Sequence, residues 1–354
     1  MNVRSLLVAR TVLGGAAAAE ASAAAKPPKA KWRVDTRRRL RHLGAAFGVL
    51  ALTAQLALTA QLAINSPQAQ ASTDLKFWHF NMCGNKCWED PNNKHNYLPG
   101  TDSRGEVTVR AAQIVESVSN YSPDIVTLNE VCYSQYRRIR AALVAQGYHA
   151  TYASSGKGTG GTCDNYDDSV GIKFGMALFS KQPATREPHD IGTTEEPNRL
   201  LCSDTAIGSR AVKACSVHLG AKSKEQRALQ ASNLAALASA WHTEKPVVLM
   251  GDFNAEPGDA VMDKFYNHSG GTGIFNEADE SDPAYSADWP AGTVRGRSGE
   301  ITFTTDATDP PTLKKIDYIF LSAADFRAVE GDSLYGGERR TSDHRVYRGG
   351  ATWQ

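Results

Sequence analysis

Short apolar runs that meet an acid, an amide or a histidine recur along this chain. The sharpest is Val247-Val248-Leu249-Met250-Gly251-Asp252-Phe253-Asn254. Others are Phe77-Trp78-His79-Phe80-Asn81, Ile125-Val126-Thr127-Leu128-Asn129-Glu130, Cys215-Ser216-Val217-His218 and Ile316-Asp317-Tyr318-Ile319-Phe320, with Ser342-Asp343-His344 near the C-terminus. Runs of this length rich in β-branched and aromatic residues predict strands, as do Gly175 to Ser180, Ile301 to Thr304, Ile316 to Leu321 and Phe326 to Val329. Elsewhere the period becomes helical. Val107, Ala111, Ile114, Val118 and Tyr121 share one helix face, which Ser122-Pro123-Asp124 terminates. Tyr136, Ile139 and Leu143 mark a second helix. Ser223 followed by Gln226 forms a capping box for a third, with Ala231, Leu234, Ala238 and Trp241 as its buried face. Strands and helices alternate first and strands dominate later, which predicts an α/β fold of two packed sheets with helices outside.

Two stretches are long and polar, 85–104 and 154–169, the latter carrying Gly156, Gly158, Gly160 and Gly161. They read as surface loops that shape access to a site. Asp164, Asn165, Asp167 and Asp168 offer oxygens for a structural Ca²⁺ but lack the spacing of a known calcium loop, so a solvated acidic loop is the plainer reading.

Charge separates the chain into two parts. Of 39 Lys and Arg and 38 Asp and Glu, residues 1–71 hold ten bases and two acids (Glu20 and Asp35), leaving 29 bases against 36 acids and a net of −7 in 72–354. Within 1–71, a basic stretch from Lys31 to His42 precedes an uncharged one from Leu43 to Ile64, and Asn65-Ser66-Pro67-Gln68-Ala69-Gln70-Ala71 supplies a breaker and a small-x-small site. That order predicts an N-terminal extension with an export signal cut after Ala71, and a secreted or extracytoplasmic body; an uncleaved N-terminal membrane anchor is the alternative. Thr36-Arg37-Arg38-Arg39-Leu40 is similar to a twin-arginine signal. Residues 72–354 contain no linker-like stretch and are read as one catalytic domain, a monomer without stable membrane insertion. Its acidic balance argues against tight, salt-driven nucleic-acid binding, though not against an enzyme that holds phosphates through a metal.

All six cysteines follow the expected cleavage point, which favours disulfides in an exported chain. Cys202 and Cys215 flank the turn-like Asp204 to Arg210, so a hairpin sets them opposite each other. Cys83 with Cys87 and Cys132 with Cys163 complete the expectation. The competing reading is a zinc site of His79, Cys83, Cys87 and His95.

Taken singly, each polar strand end has an ordinary explanation. Gly251-Asp252-Phe253-Asn254 and Asp343-His344 fit turns, Glu130 an exposed strand end, His218 a core histidine, and Asp317 a partner for a lysine. Six motifs in order carry more: Phe80-Asn81, Pro123-Asp124-Ile125-Val126-Thr127-Leu128-Asn129-Glu130-Val131, Ser216-Val217-His218-Leu219, Gly251-Asp252-Phe253-Asn254-Ala255, Ile316-Asp317-Tyr318-Ile319 and Ser342-Asp343-His344. This set resembles the endonuclease/exonuclease/phosphatase superfamily, which includes the DNase I-like nucleases, over about residues 75 to 347. The resemblance implies a four-layer α/β/β/α sandwich with two packed mixed β-sheets, a Mg²⁺ or Mn²⁺ site and phosphoric ester hydrolysis.

It further implies Glu130 as principal metal ligand with Asn81 and Asp343 beside it, Asp252 on the attacking water and Asn254 donating to the phosphate. His218 and His344 would contact phosphoryl oxygens, with Asp317 orienting His344; the division of labour among His218, His344 and Asp252 stays open. One departure stands out: where DNase I-like nucleases supply an acid to orient the first histidine, this chain has Lys173, Phe174, Gly175, Met176 and Ala177. The expected function is a secreted phosphodiesterase acting on DNA or RNA. A sphingomyelinase-like lipid phosphodiesterase and an inositol-phosphate phosphatase are the enzymatic alternatives, and an inactive binding protein on the same scaffold is the non-enzymatic one.

Overall fold

A computed structural model describes residues 75–84, 108–155, 174–192, 200–281, 297, 299–305, 311–334 and 341–354. The export signal, the loop 85–104, residues 156–169 of the second loop with its acidic Ca²⁺ cluster, Lys173, Cys87, His95 and Cys163 lie outside the described residues.

The first sheet contains β1 (Leu75–Asn81), β2 (Ile125–Cys132), β3 (His149–Ser154), β4 (Phe174–Ser180), β13 (Phe326–Leu334) and β14 (Val346–Trp353), in the order β13-β14-β1-β2-β4-β3. The second contains β5 (Glu187–His189), β6 (Leu200–Ile207), β7 (Arg210–His218), β8 (Val247–Asp252), β9 (Phe275–Glu277) and β12 (Asp317–Ser322), in the order β5-β6-β7-β8-β12-β9. Each is mixed: β1 runs parallel to β2 and β7 parallel to β8, while the other pairings are antiparallel. A small hairpin of β10 (Phe303–Thr305) and β11 (Thr312–Lys314) precedes β12.

Side-chain alternation produces the layers. From β8, Val248 and Met250 enter an inter-sheet core with Phe77, Ile125, Met176 and Leu178 of the first sheet, while Val247 and Leu249 face the other way. That outer face is covered by α3 (Lys224–His242) through Ala231, Leu234 and Ala238. On the first sheet, Trp78, Phe80, Val126 and Leu128 pack against α1 (Thr108–Tyr121) through Ile114 and Val118 and α2 (Tyr133–Val144) through Ile139 and Leu143. A strand buried on both faces reads as an unbroken apolar run, which explains Val247 to Met250. The result is the α/β/β/α sandwich.

The three expected helices are present, and Ser223 Oγ accepts the Gln226 backbone N–H (3.2 Å) at the start of α3. Trp241 is a partial exception. It is half-buried at the helix end, with Lys213 Nζ 5.5 Å from its ring centroid. Strand limits also move: β10 begins at Phe303 rather than Ile301, and β13 continues to Leu334. Asp317 opens β12, as the expected strand Ile316 to Leu321 implies, whereas Asp252 closes β8. Because β12 is antiparallel to β8, its first residue lies beside Asp252, the last residue of β8.

Cys202 and Cys215 are cross-strand partners in β6 and β7 and form a disulfide with Cα atoms 4.0 Å apart. Cys83 and Cys132 are also disulfide-bonded, and no cysteine among the described residues is free. The Cys83 bond excludes it from a zinc site. Breaking the Cys202–Cys215 bridge, which spans 13 residues, in a Cys202→Ala/Cys215→Ala variant should lower unfolding free energy by about 3 kcal/mol. Urea unfolding monitored by far-UV circular dichroism measures this; an unchanged midpoint would contradict a stabilising bridge.

Candidate active site

Strand register assembles the polar cluster. Across the second sheet His218, Asp252 and Asp317 are neighbours, since His218 pairs with Asp252 and Asp252 with Asp317. Across the first, Asn81 pairs with Asn129. The sheets meet here by hydrogen bonds, Asn81 Nδ2 to Asp252 Oδ2 (3.0 Å) and the Asp252 backbone N–H to Asn129 Oδ1 (3.0 Å), while within the first sheet Asn81 Nδ2 also donates to Glu130 Oε1 (3.2 Å). Asn129 Nδ2 donates in turn to Ser216 Oγ on β7 (3.1 Å).

Local backbone distortions aim the side chains. The β2 to β4 pairing shifts between Leu128 and Val131, a bulge that places Glu130 at φ 55°, with its side chain 26% exposed. Bulges re-aim side chains, and left-handed conformations at non-glycine residues concentrate at functional sites. Asn254 is the second case, at φ 50°; its backbone N–H donates to Asp252 Oδ1 (2.7 Å) and its Nδ2 to the Leu219 carbonyl (2.9 Å). Gly251 permits close approach of β7 and β8, because a Cβ there would lie 1.9 Å from the Val217 carbonyl oxygen. Ser342 Oγ donates to the Asn81 carbonyl (2.7 Å) and accepts the His344 N–H (3.1 Å), docking Asp343-His344 on the end of β1.

Asp317 Oδ2 lies 2.8 Å from His344 Nδ1, and His344 Nε2 lies 3.6 Å from Asp252 Oδ2. His218 Nε2 is 3.7 Å from Glu130 Oε1 and 3.8 Å from Asp252 Oδ2. Burial raises the Asp252 pKa to about 7; Asp317 and Glu130 add to the rise, whereas His344 and the Asn254 N–H oppose it. For Asp317 burial acts upwards too, yet the His344 charge and hydrogen bonds from both His344 and His79 hold it well below the usual carboxylate range. Burial disfavours charge on His344, but Asp317 and Asp252 outweigh it and raise the imidazole well above its ordinary value. Asp252, His218 and His344 line an open cleft of about 490 Å³ together with Glu130, Asn254, Asp343, Lys222, Lys224 and Lys314, while Asp317 lies buried behind His344.

A family model described as Endonuclease/Exonuclease/phosphatase family matches residues 79–344. The chain belongs to the endonuclease/exonuclease/phosphatase family. Members of that family are metal-dependent phosphoric ester hydrolases, and so is this chain. Three solved structures share the fold. The human Nocturnin catalytic domain with bound sulfate anion is 17% identical over 80% of this chain and 95% of its own, with a TM-score of 0.55. An endonuclease/exonuclease/phosphatase family protein from Bacteroides thetaiotaomicron is 17% identical over 79% and 98%, with a TM-score of 0.53. Truncated TDP2 from Caenorhabditis elegans is 14% identical over 79% and 98%, with a TM-score of 0.51. No curated protein sequence matches the chain.

The donor set fits the divalent metal of the endonuclease/exonuclease/phosphatase family. Glu130 and Asp252 crowd a single amide donor on Asn81, and the Glu130 charge adds to the strain on Asp252, which a cation between them would relieve. Asp252, Asp317 and His344 also bring ligand atoms within 4.8 Å of one another. Both Asp317 oxygens, however, are engaged by imidazoles, and Asn81 Oδ1 accepts the Cys83 N–H (3.1 Å), which leaves the hard oxygens of Glu130 and Asp343 as the better ligands.

Of the expected residues, the fold brings Asn81, Glu130, His218, Asp252, Asn254, Asp317, Asp343 and His344 to one end of the sandwich. Sequence reasoning missed Asn129 and His79. His79 lies between Thr127 Oγ1 (2.9 Å) and Asp317 Oδ1 (3.2 Å), which also removes it from a zinc site. The available signal was alternation: His79 and Asn81 follow Phe77 on the inter-sheet face of β1, where a polar residue needs a buried partner. No acid stands on β4, and the described carboxylates nearest His218 are Glu130 and Asp252.

Because Asp252 is largely protonated below pH 7 in the metal-free protein, divalent-cation binding should release up to about one proton at pH 6 and much less at pH 8.5. Titration calorimetry in two buffers of different ionisation enthalpy measures the release. Equal release at both pH values would contradict the raised Asp252 pKa.

Proposed function

We propose that the chain is an exported, divalent-metal-dependent phosphodiesterase acting on DNA or RNA. The observation that carries the reading is the pairing of a buried carboxylate of high proton affinity, Asp252, with an imidazole held charged by Asp317, His344, in an open cleft. A general base works best with a pKa near the operating pH, and a cationic donor stabilises charge that grows on phosphoryl and leaving oxygens. Asp252 then orients and deprotonates the attacking water, assisted by the Asn254 N–H that fixes its carboxylate. His344 and His218 face the phosphoryl oxygens, and the second Asn254 amide hydrogen donates to them. Glu130, Asn81 and Asp343 would hold the cation, which would supply neutralisation of phosphoryl charge.

The substrate reading rests on the contrast between the acidic body and the cleft. Lys222, Lys224 and Lys314 line the same cleft as the acidic groups and bring positive charge to it, which suits phosphates flanking a scissile one. The Cys202–Cys215 disulfide supports an oxidising compartment. Among the described residues no helix is long and apolar enough to cross a membrane.

Plasmid DNA, RNA, sphingomyelin and inositol phosphates, assayed side by side with Mg²⁺ and with EDTA, test the proposal. Cleavage of a nucleic acid that EDTA abolishes and Mg²⁺ or Mn²⁺ restores is the expected result, and turnover of lipid or inositol phosphate alone would overturn the substrate. Asp252→Ala and His344→Ala should each lower kcat/KM by about 10³-fold or more with folding intact. Near-normal turnover in either variant would remove the site assignment.

A further inference from the structure

The structure assigns a positioning role to His79: it is the second imidazole that clamps Asp317 and so fixes the orientation of His344. Asp317 is fully buried and uses both oxygens on imidazoles, Oδ2 at 2.8 Å from His344 Nδ1 and Oδ1 at 3.2 Å from His79 Nε2. The other edge of the His79 ring meets Thr127 Oγ1 at 2.9 Å, and Thr127 is its cross-strand neighbour on β2. All of His79, Thr127 and Asp317 lie away from solvent, so each polar atom must find its partner inside the protein.

The hydrogen-bond directions follow from chemistry. An ionised carboxylate only accepts, so the proton between His79 and Asp317 resides on His79 Nε2. Nδ1 is then free to accept from the Thr127 hydroxyl, which defines one tautomer and one ring orientation. With only His344 attached, a carboxylate rotates about its last torsion. With an imidazole on each oxygen its plane is fixed, and so is the line along which His344 Nε2 points towards Asp252 Oδ2 at 3.6 Å. The backbone is held as well, because Thr302 Oγ1 accepts the N–H groups of Ile316 (3.0 Å) and Asp317 (2.9 Å). His79 reaches Asp317 from β1, in the opposite sheet, and thereby ties the position of the Asp317–His344 pair to the inter-sheet packing. His79 touches neither cleft nor substrate, so its effect on turnover passes through Asp317.

The inference rests on His344 meeting the phosphoryl group, and the test separates the two claims. Gln places an amide donor about where imidazole Nε2 stands, whereas Leu fills similar space without one. With the full chain, Mg²⁺ and plasmid DNA, His79→Gln should retain kcat within about threefold, and His79→Leu should lose about 10- to 100-fold in kcat with KM changed less than about twofold. Equal kcat for the two variants would overturn the positioning role. Asp317→Asn serves as comparator: if it is fully active, the reading of His344 fails, and if it loses activity while His79→Leu does not, the His79 inference alone fails. Imidazole ¹⁵N NMR of the unmutated protein, which needs no variant to fold, should find a proton on His79 Nε2. A bare Nε2 would overturn the proposal.

Discussion

One buried carboxylate, Asp252, is where the two sheets are bound together. Its side chain accepts from Asn81 of the first sheet, its backbone N–H donates to Asn129 of that sheet, and its neighbours in its own sheet are His218 and Asp317. Any slip of β8 by one residue would turn the Asp252 side chain to the outer, helix-covered face and break all four relations. The apolar core between the sheets therefore does more than stabilise the sandwich, since Val248 and Met250 fix the register that sets Asp252 against Asn81. Gly251 belongs to the same constraint, because the close packing of β7 against β8 leaves no room for a side chain at that position.

Burial of so many ionisable groups is costly unless each charge is paired. The cluster meets this condition unevenly. Asp317 is compensated by two imidazoles at hydrogen-bond distance, and His344 by two carboxylates, whereas Asp252 accepts only from neutral donors, the Asn81 amide and the Asn254 N–H, with the imidazoles of His344 and His218 farther off at 3.6 and 3.8 Å. That uneven distribution separates the proton affinities of Asp317 and Asp252, two carboxylates beside one imidazole, in the manner expected of groups with different tasks. It also leaves carboxylate charge on Asp252 and Glu130, both beside the Asn81 amide, that a divalent cation would balance. Lys222, Lys224 and Lys314 in the same cleft add positive charge that the net charge of the protein does not reveal.

The strands that carry Asn81, Glu130, His218 and Asp252 at or near their ends were readable from the chain because apolar runs and polar ends are local patterns, although β2 continues past Glu130 to Cys132. The hairpin that pairs Cys202 with Cys215 was readable for the same reason. Asp317 was harder: its motif looks like those of the other strands, but strand direction is a tertiary property, and only the antiparallel run of β12 brings its first residue to Asp252. His79 was hidden by its apolar neighbours Trp78 and Phe80, although alternation places it on the opposite face from both. Asn129 stood beside a stronger candidate, Glu130, and its value appears only when the second sheet supplies the Asp252 N–H. The cleft lysines could not be inferred from a net charge of −7, because net charge carries no information about which side chains line a cleft.

The central claim is that Asp317 and His344 act as one unit upon the phosphate. A double-mutant cycle in kcat/KM on plasmid DNA with Mg²⁺, using Asp317→Asn, His344→Ala and the double variant, tests it most directly. The double variant is expected to be about as impaired as the worse single one. Losses that multiply would show two independent contributions and contradict the account.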